Sequence, residues 1–251
     1  MPSIGVDKVA RVTFAFWVMK ICATTVGETG GDLLSQTLNV GYAESSLIFF
    51  GFFAIALFFQ LRATRYIPAF FWLVIVCTST VGTTMSDFLD RSAGLGYPAG
   101  AGLLVSILIL VLGAWWLTTG SLSVANISDR RSETFYWMAI LTSNTLGTAL
   151  GDFMSDSSGL GYGGSNLIIT GLLAVIALCY FFTRLPRTAL FWGAFVLTRP
   201  FGATMGDFLT KTPAQGGIGL GTEGSTAVLS ALFVAMVAWT TYRLGHERKA
   251  R

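Results

Sequence analysis

The chain has 251 residues and a net charge of +3; 53% of its residues are hydrophobic, 12% are charged, and the mean hydropathy is +0.66. Soluble domains carry about 25% charged residues, so this composition excludes one and points to an all-α polytopic membrane protein. The small basic excess gives no reason to expect a nucleic-acid partner, and the scattered Cys22, Cys77 and Cys179 imply neither a disulfide nor a zinc site.

Taken in chain order, the first predicted element is a span over 11–36. Its basic start at Lys8 and apolar run to Ala23 resemble a signal peptide, but the same segment recurs three times. Trp17, Trp72, Trp137 and Trp192 each precede an aspartate, Asp32, Asp87, Asp152 and Asp207, by fifteen residues, with Gly27, Gly82, Gly147 and Gly202 at position 10 of the same frame. A fixed internal period sets the architecture. The first helices of the repeats are therefore expected over 11–36, 67–91, 133–156 and 187–211. The second helices follow over 44–62, 99–119, 165–183 and 224–243, each close to the roughly 20 residues that cross a bilayer.

Between them lie glycine-rich turns, Gly41-Tyr42, Gly96-Tyr97 and Gly161-Tyr162, with Gly219 and Gly221 reached in the fourth repeat after a short insertion. Gly216 to Gly224 lacks the lysine and the strand-to-helix setting of a phosphate loop. The expected organisation is one transmembrane domain over 1–251, with repeats of about 8–63, 64–124, 129–184 and 185–245 and a basic tail at 246–251. Eight transmembrane helices then form a pseudo-fourfold bundle, the first helices inside and the second helices outside.

Twelve of the sixteen basic residues fall at the termini and in the linkers between repeats: Lys8, Arg11, Arg62, Arg65, Arg130, Arg131, Arg184, Arg187, Arg243, Arg248, Lys249 and Arg251. Basic loops stay cytoplasmic, so both termini are expected there and the Gly-Tyr turns outside. All four first helices then run in one direction. Their aspartates share one depth, about 22 Å beyond the tryptophans at 1.5 Å per residue.

Positions 8, 11 and 15 fall on one helix face and read Thr25, Glu28, Asp32; Thr80, Thr83, Asp87; and Thr145, Thr148, Asp152. The fourth repeat departs with Pro200, Ala203, Asp207, and Pro200 is expected to kink its helix. Position 19 extends the stripe with Gln36, Arg91, Asp156 and Lys211. Polar groups in hydrocarbon face a bundle interior or a hydrated cavity, and Gly30, Gly31, Gly151 and Gly206 join the position-10 glycines in allowing close helix approach.

Carboxylates and hydroxyls are hard ligands suited to Mg²⁺, Ca²⁺ or Mn²⁺. Asp32, Asp87, Asp152 and Asp207 are thus candidate metal ligands, with Thr25, Thr80, Thr83, Thr145 and Thr148 lining the path. Glu28, unmatched in the other repeats, is the candidate proton-coupling acid. Lys20 and Arg199 break the symmetry, as counterions (Lys20 with Glu28, Arg199 with Asp207 or Glu28) or as binders of an anionic solute. The pairs Asp87 with Asp90 and Asp152 with Asp156 are not repeated, and His246 stands alone in the basic tail, so neither an enzyme nor a histidine-bound metal or haem is expected.

The Trp, Gly, Asp frame with its Gly-Leu-Gly-Tyr endings resembles, over almost the whole chain, a bacterial family of small integral membrane proteins of uncharacterised function. That resemblance implies the fold and the inner membrane but no activity. Gly30, Gly31, Asp32 and Gly206, Asp207 also resemble the Gly-Asp core of cation/proton exchangers with a Glu-x-Gly-Asp-Lys-Thr motif, whose glutamate and lysine are absent here. The expected function is transport of a small ion, a divalent cation (Mn, Mg or Ca) exchanged for protons across the bacterial inner membrane. The partners are the lipid bilayer, the ion and protons, with no cofactor beyond a bound divalent cation and the oligomeric state left open. The alternatives are a structural or regulatory membrane protein whose aspartates anchor outer turns, or a carrier of a small anionic solute held by Lys20 and Arg199.

Overall fold

A computed structural model describes residues 8–124, 127 and 129–249, excepting the side chains of 247–249. Of the predicted basic tail, Arg251 and the side chains of Arg248 and Lys249 lie outside the described residues. Among the described residues, eight α-helices follow one another as α1 (Phe14–Asp32), α2 (Tyr42–Arg62), α3 (Pro68–Asp87), α4 (Gly96–Thr119), α5 (Arg130–Asp152), α6 (Gly161–Phe182), α7 (Arg187–Thr210) and α8 (Thr222–Lys249). The second helices begin two to four residues earlier than the hydrophobic pattern predicts, because the turns end at the glycine before Tyr42 or within it at Gly96 and Gly161. Each turn holds a pair of left-handed residues, Asn39 and Gly41, Gly94 and Gly96, Gly159 and Gly161, and Gly219 and Gly221, with Gly216 a third in the fourth turn. Only Gly, and less readily Asn, adopts that conformation without strain, which is the physical content of the recurring Gly-Leu-Gly.

The odd-numbered helices form a closed inner ring, α1 on α3, α3 on α5, α5 on α7 and α7 back on α1. Outside it, α2 packs on α3, α4 on α5, α6 on α7 and α8 on α1, so each second helix leans on the first helix of the next repeat. Two sets of contacts close the ring in the same rotational sense. An aromatic residue before each tryptophan meets the tryptophan of the next repeat: Phe16 on Trp72 at 5.6 Å, Phe71 on Trp137 at 5.5 Å, Tyr136 on Trp192 at 6.5 Å and Phe191 on Trp17 at 5.8 Å between centroids. Further up, each position-10 glycine receives the position-7 residue of the next repeat: Gly27 receives Ser79, Gly82 Asn144, Gly147 Arg199 and Gly202 Thr24. A methyl group at any of these glycines would collide with its partner. At position 14, Gly31, Gly151 and Gly206 pack likewise on Thr83, Ala203 and Glu28, whereas Gly30 faces open space and takes no part in helix approach.

Five helical segments, Tyr42–Arg62, Pro68–Ser92, Gly96–Thr119, Gly161–Phe182 and Thr222–His246, are long and apolar enough to cross a membrane. Those of α2, α4, α6 and α8 are largely exposed and present residues such as Phe52, Ile55, Leu110, Leu117, Leu167 and Val228. The inner α1, α5 and α7 fall short of that apolarity, and the ring buries their polar residues away from the surface.

At the tryptophan end the bundle is held by a group the repeat does not contain. Lys8, buried, contacts Glu133 at the start of α5 and donates to the carbonyl of Leu61 at 3.2 Å. Gln60 of α2 donates both to the Lys8 carbonyl at 3.1 Å and to Glu133 Oε1 at 3.0 Å.

Candidate functional site

The four aspartates end up together at one end of the ring, where α1, α3 and α5 close with Asp32, Asp87 and Asp152 and a π-helical turn follows each, at Leu33–Thr37, Phe88–Ser92 and Phe153–Ser157. Such wide turns are frequent at functional sites in helices. The fourth helix lacks one and runs through Pro200 to Thr210. All four aspartates are buried, at 6% exposure or less.

Their partners come from position 19. Arg91 Nε lies 3.0 Å from Asp87, and Arg91 Nη2 lies 3.5 Å from both Asp152 and Asp156. Lys211 Nζ lies 3.1 Å from Asp32 and 3.3 Å from Asp207, and Gln36 donates to Asp32 at 2.6 Å. Each cation thus joins the aspartate one turn before it to that of the next repeat. Tyr42 accepts from Arg91 at 3.3 Å and Tyr97 donates to Asp156 at 2.9 Å, tying the turns to the same charges. Among the described residues, no side-chain hydrogen bond links these aspartates to the backbone of the turn that follows them.

Below the aspartates, Glu28 accepts from Arg199 Nη2 at 2.9 Å and from Thr83 at 3.1 Å, and Arg199 Nη2 also donates to Thr83 Oγ1 at 2.5 Å and to the Ser79 carbonyl at 3.2 Å. Of the counterion pairings expected from sequence, Arg199 with Glu28 is present. Lys20 takes a different partner: it donates to Asn144 Oδ1 at 3.1 Å, lies 4.2 Å from the Phe195 ring centre, and Asn144 in turn donates to Thr78 at 2.9 Å. The reason is level. Lys20 lies eight residues below Glu28 on the same helix, about 12 Å at 1.5 Å per residue.

The threonines divide. Thr83 and Thr148 of position 11 are buried in the ring, and Thr83 joins the Glu28–Arg199 pair, while Thr148 donates weakly to the Asn144 carbonyl at 3.4 Å. Thr25, Thr80 and Thr145, like Thr148, donate to carbonyls of their own helices, at Ile21, Val76 and Leu141, 2.9 to 3.0 Å away. A threonine in a helix satisfies its hydroxyl this way when no partner faces it. Sequence reasoning missed the position-7 set of Thr24, Ser79, Asn144 and Arg199 as a level of the ring. An amide in mid-span at Asn144 and two basic residues four positions after an aspartate, Arg91 and Lys211, were the available signals.

The arrangement has definite chemical capacity. Glu28, Asp32 and Asp207 bring one carboxylate oxygen each to within 4.8 Å of one another, all three buried. That spacing suits a hard cation held by oxygen ligands. Five buried axial carboxylates, the four aspartates and Glu28, are in contact with three cations, Arg91, Lys211 and Arg199.

A ring of repeated polar helices jacketed by apolar ones, five segments being apolar enough to cross a membrane, defines an all-helical repeat protein of membrane type. The chain belongs to the family described as a Repeat of Unknown Function (DUF347), whose pattern matches residues 15–66, 70–121, 135–185 and 190–244. No curated protein and no solved structure matches it.

Proposed function

We propose that this protein is a membrane carrier, not an enzyme, that moves a small divalent cation such as Mn²⁺, Mg²⁺ or Ca²⁺ in exchange for protons. All eight helices cross the bilayer in this reading, with α1, α5 and α7 shielded by their neighbours. The linkers bearing Arg62, Arg65, Arg130, Arg131, Arg184 and Arg187, and both termini, face the cytoplasm of a bacterial inner membrane. The bilayer, the cation and protons are the partners.

The observation that carries the reading is the charge imbalance of the axis. Five buried carboxylates meet three cations, with the exposed Asp156 a sixth on Arg91, and buried charge is expensive unless matched. The uncovered balance of two negative charges suits one divalent cation or two protons in alternation. Asp32, Asp207 and Glu28 supply the tightest oxygen group, Asp87 and Asp152 the facing half of the mouth, and Glu28 the coupling acid. Against the turn-anchor alternative stands the way Arg91 and Lys211 join aspartates of neighbouring repeats.

The test is transport in vesicles made with purified protein and loaded with a fluorescent indicator for Mn²⁺ or Ca²⁺, under an imposed pH gradient. The wild type is expected to move the cation and collapse the gradient together. Asp87→Asn and Asp152→Asn are expected to keep their thermal unfolding midpoint within a few degrees and to lose transport. Full transport by both variants, or a wild type that moves none of the cations, overturns the reading.

A further inference from the structure

We propose that the level below the carboxylates is a separate binding site for a small monovalent anion of the halide class, held by Arg199 and Lys20. Arg199 is fully buried, and its Nη2 supplies every hydrogen bond described for it, to Glu28, Thr83 and the Ser79 carbonyl. Its Nε and Nη1 are buried donors with no protein acceptor. A guanidinium offers five N–H groups in a fixed fork, so the N–H groups of Nε and Nη1 are left for a ligand.

Lys20 is also fully buried and has Asn144 as its only described acceptor, with the Phe195 ring beneath it. Among the described residues no carboxylate lies within ion-pair distance of it. The two cations lie on adjacent turns of the ring, at repeat positions 3 and 7. Asn144, which receives Lys20, occupies the same repeat position as Arg199, and Phe195 stands one turn from Arg199 on α7. Two cations and the single carboxylate of Glu28 leave one positive charge uncovered here. The surplus negative charge of the mouth is no substitute, since Asp32 lies twelve residues from Lys20, about 18 Å along the helix.

Packing at this level is close: Gly147 closes on Arg199 and Gly27 on Ser79, with no room for an added methyl at either glycine. One basic group in excess of Glu28 matches a small monovalent anion, whereas sulfate carries two negative charges and is larger. The hydroxyl of Ser79, buried and without a partner, is a third donor at this level. The site touches the carrier reading only through Glu28, which accepts from Arg199, and none of the four aspartates takes part in it.

The experiment is thermal unfolding of the purified full chain in detergent, in sodium chloride, bromide, sulfate or gluconate at matched ionic strength. Ligands that bind only the folded state raise Tm. Chloride and bromide are expected to raise it above gluconate by about 3 °C or more at roughly tenfold excess over Kd, sulfate to match gluconate, and Lys20→Met to erase the difference. Equal Tm in chloride and gluconate overturns the proposal, as does a chloride effect that survives Lys20→Met. Should Lys20→Met fail to fold, anomalous scattering from wild-type crystals grown in bromide decides: a peak against the Arg199 guanidinium supports the site, and its absence there overturns it. Asp87→Asn should keep the halide effect intact, so failure of the carrier reading and failure of this site show up in different measurements.

Discussion

The carboxylate level and the level of Arg199 are built on the same four helices and follow opposite rules. At the first, every repeat presents the same residue, Asp32, Asp87, Asp152 or Asp207. At the second, the four equivalent positions are Thr24, Ser79, Asn144 and Arg199, all different. Identity at the rim does not make it fourfold in charge, because the arms that reach it from position 19 alternate: Gln36 and Asp156 in the odd repeats, Arg91 and Lys211 in the even ones. Arg91 gathers Asp87 and Asp152, and Lys211 gathers Asp207 and Asp32. A fourfold ring of anions becomes two half-rings. Repetition therefore supplies a frame and a field, and the unrepeated residues decide where that field is neutralised.

The strongest way to break the lower level is to orphan one of its charges. Arg199→Leu leaves Glu28 buried without its ion pair, and losing one partner of such a pair costs about 3–5 kcal/mol. The variant should express poorly and unfold at a much lower temperature in detergent. Combining it with Glu28→Leu should recover most of that loss, which a thermal melt of the double variant checks.

Next in size are the glycines that let the two levels close. Gly82→Ala drives a methyl group into the Asn144 backbone, 2.9 Å from its carbonyl carbon, and overpacking of this kind costs about 1–3 kcal/mol. Gly30→Ala, on the same kind of helix but facing open space, should be neutral or stabilising by about 0.5–1 kcal/mol. A denaturation series on the pair separates packing from helix propensity.

A charge change at the rim sharpens the comparison without breaking it. Lys211→Gln removes the ammonium that bridges Asp32 and Asp207, so divalent-cation affinity should rise by about tenfold, equivalent to about 1.4 kcal/mol. Lys20→Gln, acting at the other level, should leave it unchanged. Isothermal titration with Mn²⁺ reads both.

The smallest effect lies outside both levels, at the start of α5. Asp129 caps that helix by accepting from the Ser132 backbone at 2.9 Å. Partial burial pushes its carboxyl up, but the hydrogen bonds from Ser132 outweigh this and hold the group below its ordinary value. A depressed carboxyl contributes stability that is complete above the unfolded pKa of about 3.9 and is lost as pH falls through the folded value. Asp129→Ala should cost about 0.5–2 kcal/mol at neutral pH and remove this acid-range dependence, as melts between pH 7 and pH 3 would show.

How much of this was legible in the sequence depends on whether a residue acts within its own repeat or on the next. The Trp, Gly, Asp frame gave the inner helices, the shared depth of the aspartates and the close approach at Gly27, Gly82, Gly147 and Gly202, because periodicity alone carries those. It did not reveal that α2 leans on α3 rather than α1, since hydrophobic pattern marks a buried face and not the neighbour that buries it. The same limit hid Lys20 with Asn144 and Lys8 with Glu133, pairs that cross from one repeat to another. Thr25, Thr80 and Thr145 were expected to line the path because a wheel shows direction only, and a hydroxyl can turn back to its own backbone.

The closure of α7 onto α1 also sets an order of events during synthesis. Glu28 and its partner Arg199 are 171 residues apart, and Asp32 and Lys211 are 179 apart. At about 5–20 residues per second, the first helix therefore waits some ~10–35 s for the cations that neutralise it. Over that interval α1 carries Lys20, Glu28 and Asp32 with no finished ring around them. Helix α1 is thus secured only when α7 arrives, and in the carrier reading it must be kept from the lipid until then by whatever holds nascent chains at the membrane.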